Sequence, residues 1–279
     1  MRKLFIGIAQ AFLLGFGILS AFAAPGKIDI TVSVPPHAYF VERIGGNRVL
    51  AHIMIPGGAN PDTYEPTPRQ LINLSNSRMY VKVGAPNFPF ENKYISTFLD
   101  SSPRMTVIDA SQGMKFRGED HHVWTSPALA RITAANIAKA LAINDPLHKD
   151  EYERNLQEFL AEIDRLDQEI RKSLKEKAGY SFMTYHPAWG YFADEYNIIQ
   201  IPIEEEGKPG NAAHIRKMID LARKKGIRDV LVQKGFDARN ARTVAAGLGG
   251  KTVEVDPLAR DWPQGLKKFT ASLKDVLKK

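Results

Sequence analysis

Short apolar runs take turns along the chain with stretches in which apolar residues recur every three or four positions. Residues 28–34 read Ile-Asp-Ile-Thr-Val-Ser-Val, the period-two alternation of a strand. Residues 38–44 are helix-like, and Gly45-Gly46-Asn47-Arg48 forms a turn before a second strand over 49–55. A helix is expected to start at 67–74, with strands at 79–83 and 105–109 and a further helix over 126–141. This alternation is the mark of a layered α/β unit.

The clearest helical stretch follows, over 147–177. Leu156, Phe159, Leu160, Ile163, Leu166, Ile170 and Leu174 recur at three- and four-residue steps, and charged residues fill the other faces. Asn144-Asp145-Pro146 marks its start and Gly179 its stop. At 1.5 Å per residue it reaches about 45 Å, the width of a domain. A coiled coil would share this stripe, but the stripe covers only about four heptads and lies between two alternating regions. After it come strands at 181–185, 198–203, 229–233 and 252–255, and helices at 188–196, 212–225, 238–248 and 266–277. The pattern predicts an α/β protein of two similar lobes joined by a single long rigid helix. Its parts are an N-terminal lobe over 25–145, a connecting helix over 146–178 and a C-terminal lobe over 179–279. In such sheets ligands bind beyond the carboxyl ends of the strands, here in the cleft between the lobes.

Residues 1–24 form a separate segment. A short positive start, Met1-Arg2-Lys3, precedes an apolar run over 4–19, and Ser20-Ala21-Phe22-Ala23-Ala24 supplies small residues at the spacing of a cleavage site. This is the layout of a secretory signal peptide cut near Ala23 or Ala24, and the run is short for a stable membrane span. The chain is therefore expected in a periplasm, and it has no Cys at which a lipid could be attached. The net charge of +7 falls by two once Arg2 and Lys3 are removed. The remaining excess is scattered over Lys224-Lys225, Lys267-Lys268 and Lys278-Lys279, with no basic stripe and no interleaved aromatics, which argues against nucleic acid as a partner. The 279-residue chain has no cysteine. That excludes disulfides, thiolate metal sites and a thiol nucleophile, and it leaves any transition-metal site to His and carboxylate.

Four positions at expected strand ends hold such donors: Asp62, His122, His186 and Asp256, two from each half of the chain. Imidazole with carboxylate suits zinc, manganese or ferrous iron. Each position alone also fits a structural role, because Asp-Pro and His-Pro are common turn elements. Their joint placement is what points to a site. Trp124, Tyr185, Trp189 and Tyr191 flank the histidines and would exclude water or fill the core.

The segments Pro61-Asp62-Thr63-Tyr64-Glu65-Pro66, Asp120-His121-His122-Val123-Trp124-Thr125, His186-Pro187-Ala188-Trp189-Gly190-Tyr191 and Asp256-Pro257-Leu258 resemble, in this order, the metal-binding solute-binding proteins of zinc/manganese ABC importers. The resemblance covers the whole chain after the signal segment. It implies two α/β lobes with a buried divalent ion between them, and delivery of that ion to an inner-membrane ABC permease. It also implies that His122, His186 and Asp256 are ligands, and His at the position of His186 goes with zinc in that family. The family's Pro-His-Thr-Tyr-Glu-Pro has Asp62 in place of its His. Either Asp62 coordinates through oxygen, or it faces away and His37, His121 or a carboxylate of 204–206, such as Glu204 or Glu206, substitutes. The collecting loop of the family's zinc members is reduced here to the stub 117–122. Zn2+ is the expected cargo, with Mn2+ or Fe2+ as alternatives. A binding protein for an organic solute or metal chelate is a second reading. A periplasmic metallohydrolase using Glu65 or the 204–206 run as base is a third, but no HExxH or nucleophile-elbow motif is present, and the chain is not expected to be an enzyme.

Overall fold

In the computed structural model, residues 26–204, 210–237 and 239–277 are described. The expected signal segment, 1–24, lies outside them, as does Glu206. Two four-stranded sheets, each wholly parallel, carry the architecture. The first contains β1 (Ile28–Val32), β2 (Val49–Ile53), β3 (Met79–Lys82) and β4 (Thr106–Asp109), in the order β2-β1-β3-β4. The second contains β5 (Ser181–Thr184), β6 (Ile199–Pro202), β7 (Val230–Gln233) and β8 (Thr252–Val255), in the order β6-β5-β7-β8. The same order in both halves is the likeness of the lobes seen in the sequence. In β1, Ile30, Thr31 and Val32 are all fully buried, as expected for a central parallel strand covered on both faces. Thr31 is tolerated there because its hydroxyl bonds that of Ser77 at 2.7 Å.

Local sequence fixes several helix starts. In α1 (Pro35–Gly45) two prolines occupy the first turn, where no backbone donor is lost. In α2 (Pro68–Asn76), Thr67 and Gln70 form a reciprocal capping box. A segment on which the alternation was silent, 91–100, forms one π-helical turn (Glu91–Ile95) leading into the short α3 (Ser96–Asp100). It is anchored by the buried Glu91 carboxylate, which accepts from Ser33 Oγ, from Val83 N at 2.6 Å and from Gly84 N at 3.0 Å. Ser126 caps α4 (Pro127–Asn144), its hydroxyl accepting from Leu129 N at 3.1 Å.

The long helix is α5 (Lys149–Leu174), 26 residues with a single-turn 3-10 segment at either end. Its Tyr152, Phe159, Ile163, Leu166, Ile170 and Leu174 are buried. They pack on α1 and α4 on one side of the cleft and, on the other, on α9 (Trp262–Val276). The second lobe also contains α6 (Gly190–Glu195), α7 (Ala212–Lys224) and α8 (Arg239–Gly247). The last helix begins at Trp262, four residues before the expected 266, because Asp261 accepts from Gln264 N at 3.2 Å and Pro263 suits the first turn.

The two lobes share an apolar core. Phe159 of α5 lies 5.1 Å from Phe40 of α1 and 6.4 Å from Trp262 of α9 (ring centroids), and Phe40 meets Trp262 edge-on at 5.0 Å. A hinge motion of one lobe on the other would expose this core, at about 25 cal/mol per Å2 of apolar surface. Among the described residues no helix is long and apolar enough to cross a membrane.

Candidate metal site

A cavity of about 610 Å3 opens between the lobes, and its polar walls include Asp62, His121, His122, His186 and Glu204. All five follow the carboxyl ends of strands: Asp62 after β2, His121 and His122 after β4, His186 after β5 and Glu204 after β6. Parallel strands point these ends the same way, so residues up to 142 positions apart in sequence reach one space.

The two imidazoles expected as ligands meet here. His122 Nε2 and His186 Nε2 are 3.2 Å apart, one from each lobe, and both residues are about 95% buried. The opposite nitrogen of each ring is held by a carboxylate. His122 Nδ1 lies 2.9 Å from Asp120 Oδ1, an atom that also accepts from His122 N at 3.0 Å. His186 Nδ1 lies 2.7 Å from Glu204 Oε2. A carboxylate fixes the proton on Nδ1 and directs the lone pair of Nε2 into the cavity. Burial, together with the neighbouring His121, lowers the His122 pKa to about 4, so its ring is neutral at neutral pH.

Asp62 lies beside this pair. Its Oδ2 is 3.9 Å from His186 Nε2, and its Oδ1 is 3.2 Å from His121 Nε2. Burial by itself would raise the Asp62 carboxyl, but His121, with His186 and His122, holds it down at about 2. As the side chains stand, no group of three or more His, Asp or Glu among the described residues is arranged to hold a metal ion. Aromatic rings back the histidines: Phe88 on His121 and Phe236 on His186, each at 4.9 Å, and Trp124 on His122 at 5.3 Å.

Asp256, expected as a ligand from the second lobe, does not line this cavity. It borders a separate cleft of about 290 Å3 with Lys234, Glu254, Asp261 and Lys268. The reason is local: Asp256 Oδ1 accepts from Leu258 N at 2.9 Å, a tight turn that directs the carboxylate toward the start of α9. His37 is not at the cavity either. It is fully buried near the start of α1, and both of its ring nitrogens lack a partner. Glu204 lines the cavity but acts on His186 Nδ1. Glu65 lies at the surface, accepting from Tyr94 at 2.8 Å and Lys93 at 3.3 Å, so it is not placed to activate a cavity water.

Asp120, Phe88 and Phe236 were not singled out by the sequence. Asp120 had a readable signal, since an acid two residues before a histidine can take both its N–H and its ring in a compact turn. The two Phe had none, because they reach the rings from remote loops.

The lobes are locked close to the cavity. Tyr191 Oη donates to the Asp120 carbonyl at 2.8 Å and accepts from Arg117 N at 2.9 Å. Glu195 accepts from Ser126 Oγ at 2.5 Å and from Ala128 N at 3.1 Å, across the cleft. The loop that carries Asp62 also touches the second lobe backbone to backbone. Gly235 has φ +82°, and a Cβ there would fall 1.7 Å from the Gly58 carbonyl oxygen. Only glycine suits both that dihedral and that approach.

Two parallel-sheet α/β lobes, a rigid helix spanning them and a cleft lined by histidine and carboxylate define a bilobal solute receptor of the metal-binding class. The comparisons name the family. The sequence profile described as "Zinc-uptake complex component A periplasmic" matches residues 30–279, and the chain belongs to that family. A high-affinity zinc uptake system protein of Bacillus subtilis is 26% identical over 266 residues, 86% of this chain and 81% of the relative. Its counterpart in Brucella suis is 23% identical, with 98% of each chain covered. The fold superposes on a crystal structure of ZnuA with TM-score 0.85 and 37% identity, covering 90% of this chain and all of the other. A zinc-bound ZnuA variant lacking residues 138–173 of its own sequence superposes equally well, at TM-score 0.85 and 38% identity over 91% of this chain and 99% of that one.

Proposed function

We propose that the chain captures a zinc ion in this cavity and delivers it to an inner-membrane ABC permease, working in the periplasm after export on residues 1–24. The observation that carries the reading is the His122–His186 pair, one imidazole from each lobe, with Nε2 facing Nε2 at 3.2 Å. Since carboxylates engage both Nδ1 atoms, two lone pairs face each other across that gap. They repel unless a proton or a cation lies between them. With zinc–nitrogen bonds of about 2.0–2.1 Å, tetrahedral neighbours stand about 3.3 Å apart. The pair has the spacing of two ligands sharing one ion.

Asp62 supplies an anionic oxygen beside them and offsets part of the ion's charge. Imidazole donors and the general affinity order favour zinc over manganese and ferrous iron. The relatives named for zinc uptake, and the likeness to a structure with zinc bound, support the same ion. The work is capture without bond making: carboxylates and neutral imidazoles replace the hydration shell, and the shared apolar core limits lobe rotation. Release then proceeds by movement of the loops at the cavity mouth when the permease docks there.

Competition titration against a zinc chelator tests the assignment. The wild-type chain is expected to bind one zinc ion tightly, and His122→Ala and His186→Ala are each expected to lose most of that affinity. Unchanged affinity in both variants would overturn the reading.

A further inference from the structure

We infer that His121 supplies a third imidazole to the ion, so that the site is made of His121, His122, His186 and Asp62 and excludes Asp256. The inference rests on the reading of the cavity as the zinc site and specifies its donor set. His121 is 7% exposed, and its Nε2 has no hydrogen-bond partner. Asp62 Oδ1, also buried, has none either. These two atoms lie 3.2 Å apart without the alignment of a hydrogen bond. Leaving both atoms desolvated without an aligned hydrogen bond is unfavourable. A cation between them satisfies both at once.

The ring itself is held in place. It lies over the His122 ring, with centroids 4.2 Å apart and planes at 30°, and Phe88 packs at 4.9 Å. The donors form a chain: His121 Nε2 to Asp62 Oδ1 at 3.2 Å, Asp62 Oδ2 to His186 Nε2 at 3.9 Å, and His186 Nε2 to His122 Nε2 at 3.2 Å. Tetrahedral zinc needs edges of about 3.3 Å, and two of these three separations already lie near that length. Asp256 borders a different cleft, its Oδ1 accepting from Leu258 N. The sequence thus moves one imidazole from the position of Asp62 to the residue preceding His122. Three nitrogens and one oxygen keep the site selective for zinc over manganese.

X-ray absorption at the zinc edge on the loaded protein counts the imidazoles directly. Three are expected in the wild type and two in His121→Ala. Zinc affinity should fall in His121→Ala by more than about a hundredfold, beyond what loss of an outer hydrogen-bond partner costs, and stay unchanged in Asp256→Ala. The melting profile of metal-free His121→Ala shows whether it is folded. If it is not, the imidazole count in the wild type and the affinity of Asp256→Ala still decide. Two imidazoles in the wild type, wild-type affinity in folded His121→Ala, or a large loss in Asp256→Ala would each overturn the inference while the zinc reading stands. A wild-type chain that takes up no zinc would overturn both.

Discussion

Trp124 and Trp262 join the two lobes reciprocally. Trp262 Nε1 donates to the Trp124 carbonyl at 2.7 Å, and Trp124 Nε1 donates to the carbonyl of Pro257, five residues before Trp262, at 2.9 Å. Both indoles are buried, at 1% and 2% exposure, so neither bond is exchanged with water. Trp124→Phe keeps an aromatic ring but removes one donor and leaves a void. It should destabilise the metal-free protein by about 1–3 kcal/mol. Urea unfolding measures this, and an unchanged midpoint would show that the indole bond does not hold the lobes.

The carboxylates behind the histidines, Asp120 and Glu204, are expected to act on zinc affinity more than on folding. Glu204→Gln keeps the shape and an acceptor for His186 Nδ1 but removes the charge that makes the ring a stronger donor to a metal. Zinc affinity should fall roughly ten- to hundredfold, with little change in the melting temperature of the metal-free chain. Chelator competition and calorimetry, run side by side, separate the two effects.

At Gly235 the constraint is steric. Gly235→Ala would place a methyl group against the Gly58 carbonyl and force an L-residue into positive φ. The change should cost more than about 1 kcal/mol and, because the Gly58 loop carries Asp62, it should also weaken zinc binding. Thermal melting and zinc titration of the variant report on both. A variant that melts and binds like the wild type would mean the two loops move apart without cost.

His37 gives the metal-free protein a pH dependence of defined sign. Burial lowers its pKa from 6.5 to about 3 in the folded chain. Between those values the unfolded chain holds a proton that the folded chain does not, so acid favours unfolding. The stability is fully present above pH 6.5 and falls by roughly 1.4 kcal/mol per pH unit as the pH drops toward 3. His37→Leu removes this component. Urea unfolding at pH 7.5, 6 and 5 should therefore show the difference between variant and wild type moving in the variant's favour as the pH falls.

The hydrophobic pattern alone determined the alternation of strands and helices, the amphipathic α5, and the placement of Asp62, His122 and His186 beyond strand ends. Those features follow from side-chain periodicity, which is local and is written in consecutive residues. The segment 91–100 was not legible, because its helix depends on the Glu91 carboxylate finding Ser33, Val83 and Gly84 from distant strands. Only the tertiary structure decided which of the candidate donors line the cavity. Asp256 and His121 are both ionisable residues next to an expected element, and no spacing rule separates them. A two-residue turn takes the Asp256 carboxylate away from the cavity, while packing between Phe88 and His122 keeps His121 at its wall. Where a side chain points after the last residue of a strand depends on turn geometry and on neighbours from elsewhere in the chain, and a one-dimensional pattern carries neither.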